Sequence, residues 1–218
     1  MTVDPLRLAI ALVPLAAYVL LLGLLNLRRR PYLTSGGCDL AALGVALSGL
    51  MFVGPLDLFR PEAATRSFGN YIWLFLVLFY LLFLVLIVLL ARPRLVVYNI
   101  SAEELHPVLA EVAGRLDSMA RWAGNNLSLP TIGVQLHLDS VDSMRNVSLV
   151  ASGGRQNLDG WKRLARMLGQ SLGNTRVKRN PRAVGLLVLS FVLLAVCITY
   201  MLIRPAELMQ AMNEVFAY

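Results

Sequence analysis

The chain has 218 residues, of which 57% are hydrophobic and only 15% are charged. An ordinary soluble domain is about 45–50% apolar and about 25% charged. This composition excludes a disordered chain and a soluble enzyme of ordinary composition, and it predicts an integral membrane protein.

Four stretches of the chain contain no Asp, Glu, Lys or Arg, and each approaches the length of about 20 apolar residues that a bilayer-spanning helix needs. They comprise residues 8–27, 40–56, 67–91 and 183–203. The second stretch is short, and it becomes long enough if its helix begins near Ser35, with Asp39 facing the positive end of the helix dipole. The sequence therefore predicts a polytopic α-helical membrane protein with four transmembrane helices.

The basic residues divide unevenly between the two sides of this arrangement. Of 20 Lys and Arg residues, 16 lie in 28–34 and 92–182, and the remaining four lie on the opposite side. Cytoplasmic loops are enriched in Lys and Arg. The uneven split therefore predicts both termini outside and 92–182 in the cytoplasm, and the predominance of arginine among the basic residues favours a bacterial inner-membrane protein.

The spans divide the chain into four parts. These are 1–34, the first span and a basic loop; 35–91, the second and third spans; 92–182, a cytoplasmic domain inserted between the third and fourth spans; and 183–218, the fourth span and a short outer segment.

Nine basic residues flank the spans on the predicted inner side. They are Arg28, Arg29, Arg30, Arg92, Arg94, Arg176, Lys178, Arg179 and Arg182. Each such cation is attracted to anionic lipid headgroups by about 1 kcal/mol, so we expect an anionic bilayer as the partner and no nucleic acid. Pro181 cannot continue a preceding helix and suits the first turn of the next. Residues 176–182 are therefore predicted to form a short elbow at the headgroup level.

The second span carries small residues at four-residue spacing. They are Ala41, Ala42, Gly44, Ala46, Ser48 and Gly49. Small faces allow helix backbones to approach closely, so we expect this face to pack on other spans, on other membrane subunits or on a second copy. Intramembrane ionisable residues mark ion and proton paths, and their scarcity in these spans argues against a pump or a proton-coupled transporter.

The inserted segment 92–182 has the pattern of an α+β domain. Strands are predicted at 95–100, 132–138 and 147–151, with a further short one within 121–129. Ser101 and Glu104 form a capping box at the start of a first helix, and Asn157 caps a second helix that ends at 173–174. Two amphipathic helices are expected to cover one face of the sheet.

Two groups of residues in the domain are candidates for chemistry. His137 and Asp139 lie two residues apart on one strand face, a spacing that suits a metal or acid–base pair. The chain has two His and two Cys in all, which makes a closed four-ligand site hard to build. We therefore expect a solvated strand face, with no metal and no cofactor.

The second group is a glycine-rich loop before the second helix, formed by Ser152, Gly153, Gly154, Arg155 and Asn157. Backbone amides at a helix N-terminus, with Arg155, can hold an anion. A strand-to-helix turn that requires positive φ explains the same glycines.

These patterns favour a non-enzymatic membrane subunit or scaffold whose cytoplasmic domain contacts other proteins, with no assigned catalytic residue. A ligand-responsive sensor that binds an anion at 152–157 is one alternative. A membrane-surface enzyme that uses His137 and Asp139 is the other.

Overall fold

The computed structural model describes residues 4–56, 69, 71–141, 144–154, 156–178 and 180–216, with 56 and 211–216 described through their backbone only. The chain divides into two compact units. A helical unit comprises Met1–Gly23, Ala41–Val88 and Val184–Tyr218. A sheet unit comprises Leu24–Leu40 and Leu89–Ala183, and so includes end residues of four helices.

The helices are α1 (Pro5–Leu27), α2 (Gly36–Met51), α3 (Tyr71–Leu90), α4 (Ala102–Leu116), α5 (Leu158–Asn174), α6 (Arg182–Ile203) and α7 (Pro205–Phe216). A π-helical turn at Phe52–Leu56 extends α2. Four helices are long and apolar enough to cross a membrane, namely α1, α2 with its extension, α3 and α6. This confirms the predicted set, and α2 begins directly after Ser35 with Asp39 in its first turn.

Within the helical unit, hydrogen bonds to backbone carbonyls and small residues join the helices. The buried Ser190 hydroxyl of α6 donates to the Ala16 carbonyl of α1 over 2.9 Å. The Tyr80 hydroxyl of α3 donates to the Gly44 carbonyl of α2 over 2.6 Å. A Cβ atom added at Gly23 would lie 2.8 Å from the Leu187 side chain. Small residues at such crossings let neighbouring backbones approach.

The sheet unit contains one antiparallel sheet with strand order β1-β2-β6-β5-β4-β3. The strands are β1 (Tyr32–Ser35), β2 (Arg94–Tyr98), β3 (Arg121–Ala123), β4 (Asn126–Leu129), β5 (Val134–Val141) and β6 (Asn146–Ala151). Leu149 of β6 lies between Leu95 of β2 and Leu138 of β5 in the cross-strand register. These three leucines share one face of the sheet.

Helices α4 and α5 pack on that face, as predicted. Alternation drives the arrangement, because Val134, Leu136 and Leu138 of β5 are buried while Gln135 and His137 are exposed. The core between sheet and helices includes Leu105, Leu109, Val112, Leu164, Leu168 and Leu172 from the two helices.

The ends of α4 and α5 are held by local hydrogen bonds. The Ser101 hydroxyl accepts from the Glu104 amide, and the Glu104 carboxylate accepts from the Ser101 amide, each over 3.3 Å. This confirms the predicted capping box. Asp117 ends α4, and its carboxylate accepts from the amide and the hydroxyl of Thr131. Burial alone would raise the pKa of Asp117, but these hydrogen bonds and one from the Met119 amide outweigh it and lower the pKa.

The sheet extends beyond the predicted domain of 92–182. Strand β1, in the loop between the first two spans, pairs with β2, with Thr34 opposite Val96. We did not anticipate this strand, because four residues are too few for an alternating pattern to stand out. As a result, the first basic loop and the segment after α3 belong to one sheet.

Candidate functional site

The sheet face opposite α4 and α5 carries mainly polar side chains around β4, β5 and β6. We call it the open face; its members are Asn126, Ser128, Gln135, His137, Asp139, Ser148 and Val150. Register places Asp139 opposite Ser148, and His137 between Asn126 and Val150. Gln135, His137 and Asp139 are exposed. The face therefore offers hydrogen-bond donors and acceptors to solvent or to another surface.

His137 and Asp139 lie on one strand face, as their spacing predicts. The His137 Nδ1 atom lies 3.0 Å from the Asn126 side-chain oxygen. The second histidine, His106 on α4, stacks instead on Trp122, with ring centroids 4.4 Å apart. No group of three His, Cys, Asp or Glu that could hold a metal ion occurs among the described residues. The pair offers hydrogen bonding, and the alternative of an enzyme that uses these two residues stays untested.

The loop before α5 is held by hydrogen bonds of the Gln156 side chain. Gly153 has φ of +88°, which favours glycine. The Gln156 amide donates to the carbonyls of Ser152 and Gln135 over 2.6 and 3.0 Å. Its oxygen accepts from the Trp161 ring over 2.9 Å. The glycine and the glutamine together thus build a turn that needs no ligand.

The N-terminus of α5 is also occupied. The Asn157 side chain accepts from the amides of Asp159 and Gly160, over 3.0 and 3.4 Å. An anion at this helix end would compete with the cap for the same amides. Gly154 lies next to Arg155, which is outside the described residues. Anion binding by 152–157 therefore stays a prediction, and the cap accounts for Asn157 without it.

The small-residue face of α2 makes contacts inside the chain. A Cβ atom added at Gly49 would overlap the Ile10 carbonyl of α1, and one added at Gly44 would overlap the Leu84 side chain of α3. Ala46 is buried. Three further members of the face are half-buried, namely Ala41, Ala42 and Ser48. Association with other subunits through this face is not tested by these contacts and stays a prediction.

Most of the predicted headgroup-contacting residues are exposed, namely Arg28, Arg29, Arg30, Arg92, Arg176, Lys178 and Arg182; Arg179 lies outside the described residues. Residues 175–178 are not helical and separate α5 from α6, as predicted for the elbow. The Val177 amide donates to the Arg29 carbonyl over 3.1 Å. This hydrogen bond brings the elbow beside the first basic loop.

Arg94 has a carboxylate partner within the sheet unit. Its guanidinium lies 2.7 Å from Asp39 in the first turn of α2, and the Tyr98 hydroxyl donates to the other Asp39 oxygen. A Cβ atom added at Gly36 would overlap the Arg94 side chain. We call Asp39, Arg94 and Tyr98 the Asp39 cluster. Arg94 therefore has a charged partner within the protein, and its contact with lipid headgroups stays a prediction.

Three buried asparagines, Asn26, Asn99 and Asn180, make further hydrogen bonds within the sheet unit. The sequence analysis did not single them out. The Asn180 side chain donates to the Asn26 side-chain oxygen over 3.3 Å. The Asn99 side chain donates to the Arg28 carbonyl over 2.6 Å, and its φ is +61°. A feature of the sequence that could have identified them is an amide side chain at the edge of an apolar stretch. Such a side chain is expected to be buried and therefore to need a hydrogen-bond partner.

Comparison of the chain with protein-family models, with curated proteins and with solved structures finds no match. The open face, the Asp39 cluster and the basic loop therefore carry the functional argument.

Proposed function

We propose that the chain is a non-enzymatic membrane subunit whose sheet unit binds another protein through the open face. The observation that carries this proposal is the attachment of the sheet to the helix ends within its own unit. The Asp39 cluster joins the start of α2 to β2, and the Asn26–Asn180 hydrogen bond joins the end of α1 to the elbow before α6. A surface on such a fixed support loses little conformational freedom when it binds.

The chemistry of the open face favours a protein partner over a lipid surface. Its exposed members combine an amide, an imidazole and a carboxylate, at Gln135, His137 and Asp139. Headgroup-binding surfaces are instead rich in Lys and Arg. Arg121 of β3 lies opposite Ser128 and is exposed at the edge of this face, so the face is mixed in charge and not basic. We therefore assign a protein, either a different subunit or a second copy, as its partner.

The same proposal includes an orientation in a bacterial inner membrane. Because β1 and β2 pair in one sheet, residues 28–35 and 92–182 have to lie on the same side of the bilayer. Two spans between these segments satisfy that condition, which supports keeping the second span. The excess of basic residues in these segments assigns that side to the cytoplasm and both termini to the outside.

Alkaline phosphatase fusions test the orientation. A fusion after Tyr218 is expected to be active and one after Arg94 inactive, because the enzyme needs an oxidising compartment for its disulfides. The reverse pattern of activities would place the sheet unit outside the cytoplasm and would overturn the orientation.

Site-specific photocrosslinking in native membranes tests the docking proposal. A benzophenone amino acid at position 139 is expected to give one discrete crosslinked band, whose mass identifies a second protein or, with two differently tagged copies, a second chain. The matched control replaces the exposed Glu111 on α4, another acidic residue, which lies on the helix side of the sheet unit. Equal yields at both positions, or no band at position 139, would contradict docking through the open face.

A further inference from the structure

A groove in the sheet unit lies where α1 passes into β1. It has a volume of about 570 Å³ and is open to the surface. One wall is the basic loop and β1, and the other is the C-terminal part of α5. The lining residues are Arg28, Arg29, Arg30, Pro31, Tyr32, Leu33, Gly169, Leu172 and Gly173.

Three consecutive arginines, Arg28, Arg29 and Arg30, line the groove. Among the described residues, no carboxylate lies within salt-bridge distance of Arg28, Arg29 or Arg30. A guanidinium presents a planar set of N–H donors that matches phosphate oxygens in paired hydrogen bonds. Three consecutive arginines among the lining residues of one groove therefore favour a phosphate-bearing ligand.

The backbone that carries these arginines is fixed. The Arg28 carbonyl accepts from the buried Asn99 side chain over 2.6 Å, and the Arg29 carbonyl accepts from the Val177 amide over 3.1 Å. Pro31 follows and is buried. Binding therefore has to order the arginine side chains but not the loop, which lowers its entropic cost.

The opposite wall is apolar and leaves room. Gly169 and Gly173 have no side chains and Leu172 is almost fully buried, while Leu33 on the facing wall is half-buried and adds apolar surface. A Cβ atom added at Gly173 would meet nothing within 4 Å, so the groove is open along this part of α5. A groove with this apolar surface accommodates the glycerol and upper acyl carbons of a lipid better than it accommodates a hydrated polyanion.

The position of the groove in the chain selects the source of the phosphate. Arg28 directly follows Leu27, the last residue of α1, which is one of the four helices long enough to cross a membrane. Residues at such a helix end lie at the depth of the headgroups. We propose that this groove is a specific binding site for the phosphate group of one anionic phospholipid. The proposal is independent of protein docking through the open face.

Native mass spectrometry of the full chain in mild detergent tests the site. Titration with phosphatidic acid is expected to give one tightly retained lipid per chain, and phosphatidylcholine is expected to give none. Gly173→Trp, which adds an indole to a residue that lines the groove, should weaken binding by about tenfold or more, the effect expected when a charged hydrogen-bonded contact is lost. The triple variant Arg28→Gln, Arg29→Gln and Arg30→Gln should do the same.

Gly114→Trp is the matched control. Gly114 lies near the C-terminal end of α4, as Gly173 does in α5, and a Cβ atom added there also meets nothing within 4 Å. This variant should bind phosphatidic acid like the wild type. Unchanged unfolding temperatures of both tryptophan variants would show that any loss of binding at Gly173 is local.

A second arm replaces the lipid with soluble glycerol phosphate. Wild-type retention of phosphatidic acid, with at least about tenfold weaker binding of glycerol phosphate, supports the lipid source. Equal or tighter binding of glycerol phosphate would overturn the lipid assignment in favour of a soluble phosphate compound. Equal phosphatidic acid binding by wild type, Gly173→Trp and the triple glutamine variant would overturn the site altogether and leave the arginines as a topology signal.

Discussion

Gly49→Ala is expected to lower the unfolding free energy of the helical unit by about 2 kcal/mol, within the range of overpacked sites. The added methyl group would overlap the Ile10 carbonyl of α1, and a backbone group cannot rotate away as a side chain can. Helices α1 and α2 would have to separate. Thermal unfolding in detergent, monitored by far-ultraviolet circular dichroism, measures the change.

Gly44→Ala is expected to cost less than Gly49→Ala. The group that its methyl would meet is the end of the Leu84 side chain, which can adopt another rotamer at a cost of order 0.5–1.5 kcal/mol. Comparison of the two variants therefore shows whether the loss of stability is larger where the added methyl group meets backbone than where it meets a flexible side chain.

Gly185→Ala in α6 provides the baseline for both variants. A Cβ atom added at Gly185 meets nothing within 4 Å, and alanine is favoured over glycine in a helix by about 0.5–1 kcal/mol. This variant should be neutral or slightly stabilising. If Gly49→Ala were as stable as Gly185→Ala, the close approach of α1 and α2 would be wrong.

The features that the sequence predicted correctly are set by residues close together in the chain. The four apolar helices follow from composition over about 20 residues, and the capping box involves Ser101 and Glu104 alone. Strand β5 follows from alternation at period two. Each of these patterns is complete within one helix or strand, so it can be recognised in the sequence without knowledge of the tertiary structure.

The features that sequence reasoning missed depend on pairs far apart in the chain. Arg94 and Asp39 are 55 residues apart, and Asn180 and Asn26 are 154 apart. Nothing in the periodicity of either segment indicates its partner. For this reason Arg94 was grouped with the headgroup-contacting arginines. In the structure Arg28, Arg29 and Arg30 are exposed, whereas Arg94 is half-buried and paired with Asp39.

The candidate loop at 152–157 shows a different limit. Gly153 and Asn157 were recognised, but two physical explanations, an anion site and a capped turn, require the same residues. The Gln156 side chain, which fills the turn, has no distinctive spacing in the sequence. Only its position relative to Gln135 and Trp161 shows that the polar groups of the turn are satisfied internally.

Asp39→Asn is expected to lower the unfolding free energy of the sheet unit by about 2 kcal/mol, the usual scale for leaving a buried charged group without its partner. The side chains of Arg94 and Asp39 are 30% and 17% exposed, so water can compensate only in part. The Nε atom of Arg94 is already buried without a partner. Removing the carboxylate would leave the whole guanidinium poorly satisfied. Hydrogen exchange at the β2 amides in detergent measures the loss.

Arg94→Met is expected to cost less than Asp39→Asn. Methionine keeps much of the apolar stem that packs on Gly36 and removes the incompletely satisfied guanidinium, while Asp39 keeps its hydrogen bond from Tyr98. A carboxylate in the first turn of α2 also retains its favourable interaction with the helix dipole. Tyr98→Phe, which removes one hydrogen bond and no charge, should cost about 1 kcal/mol.

The double variant Asp39→Asn with Arg94→Met decides whether the two residues act as a pair. If they do, the double variant loses less than the sum of the single variants, by about 1 kcal/mol or more, because the second substitution removes the charge that the first left unsatisfied. Additive losses would mean that Arg94 gains nothing from Asp39. In that case β2 would be held to the start of α2 by packing and by the Tyr98 hydrogen bond, without a contribution from the ion pair.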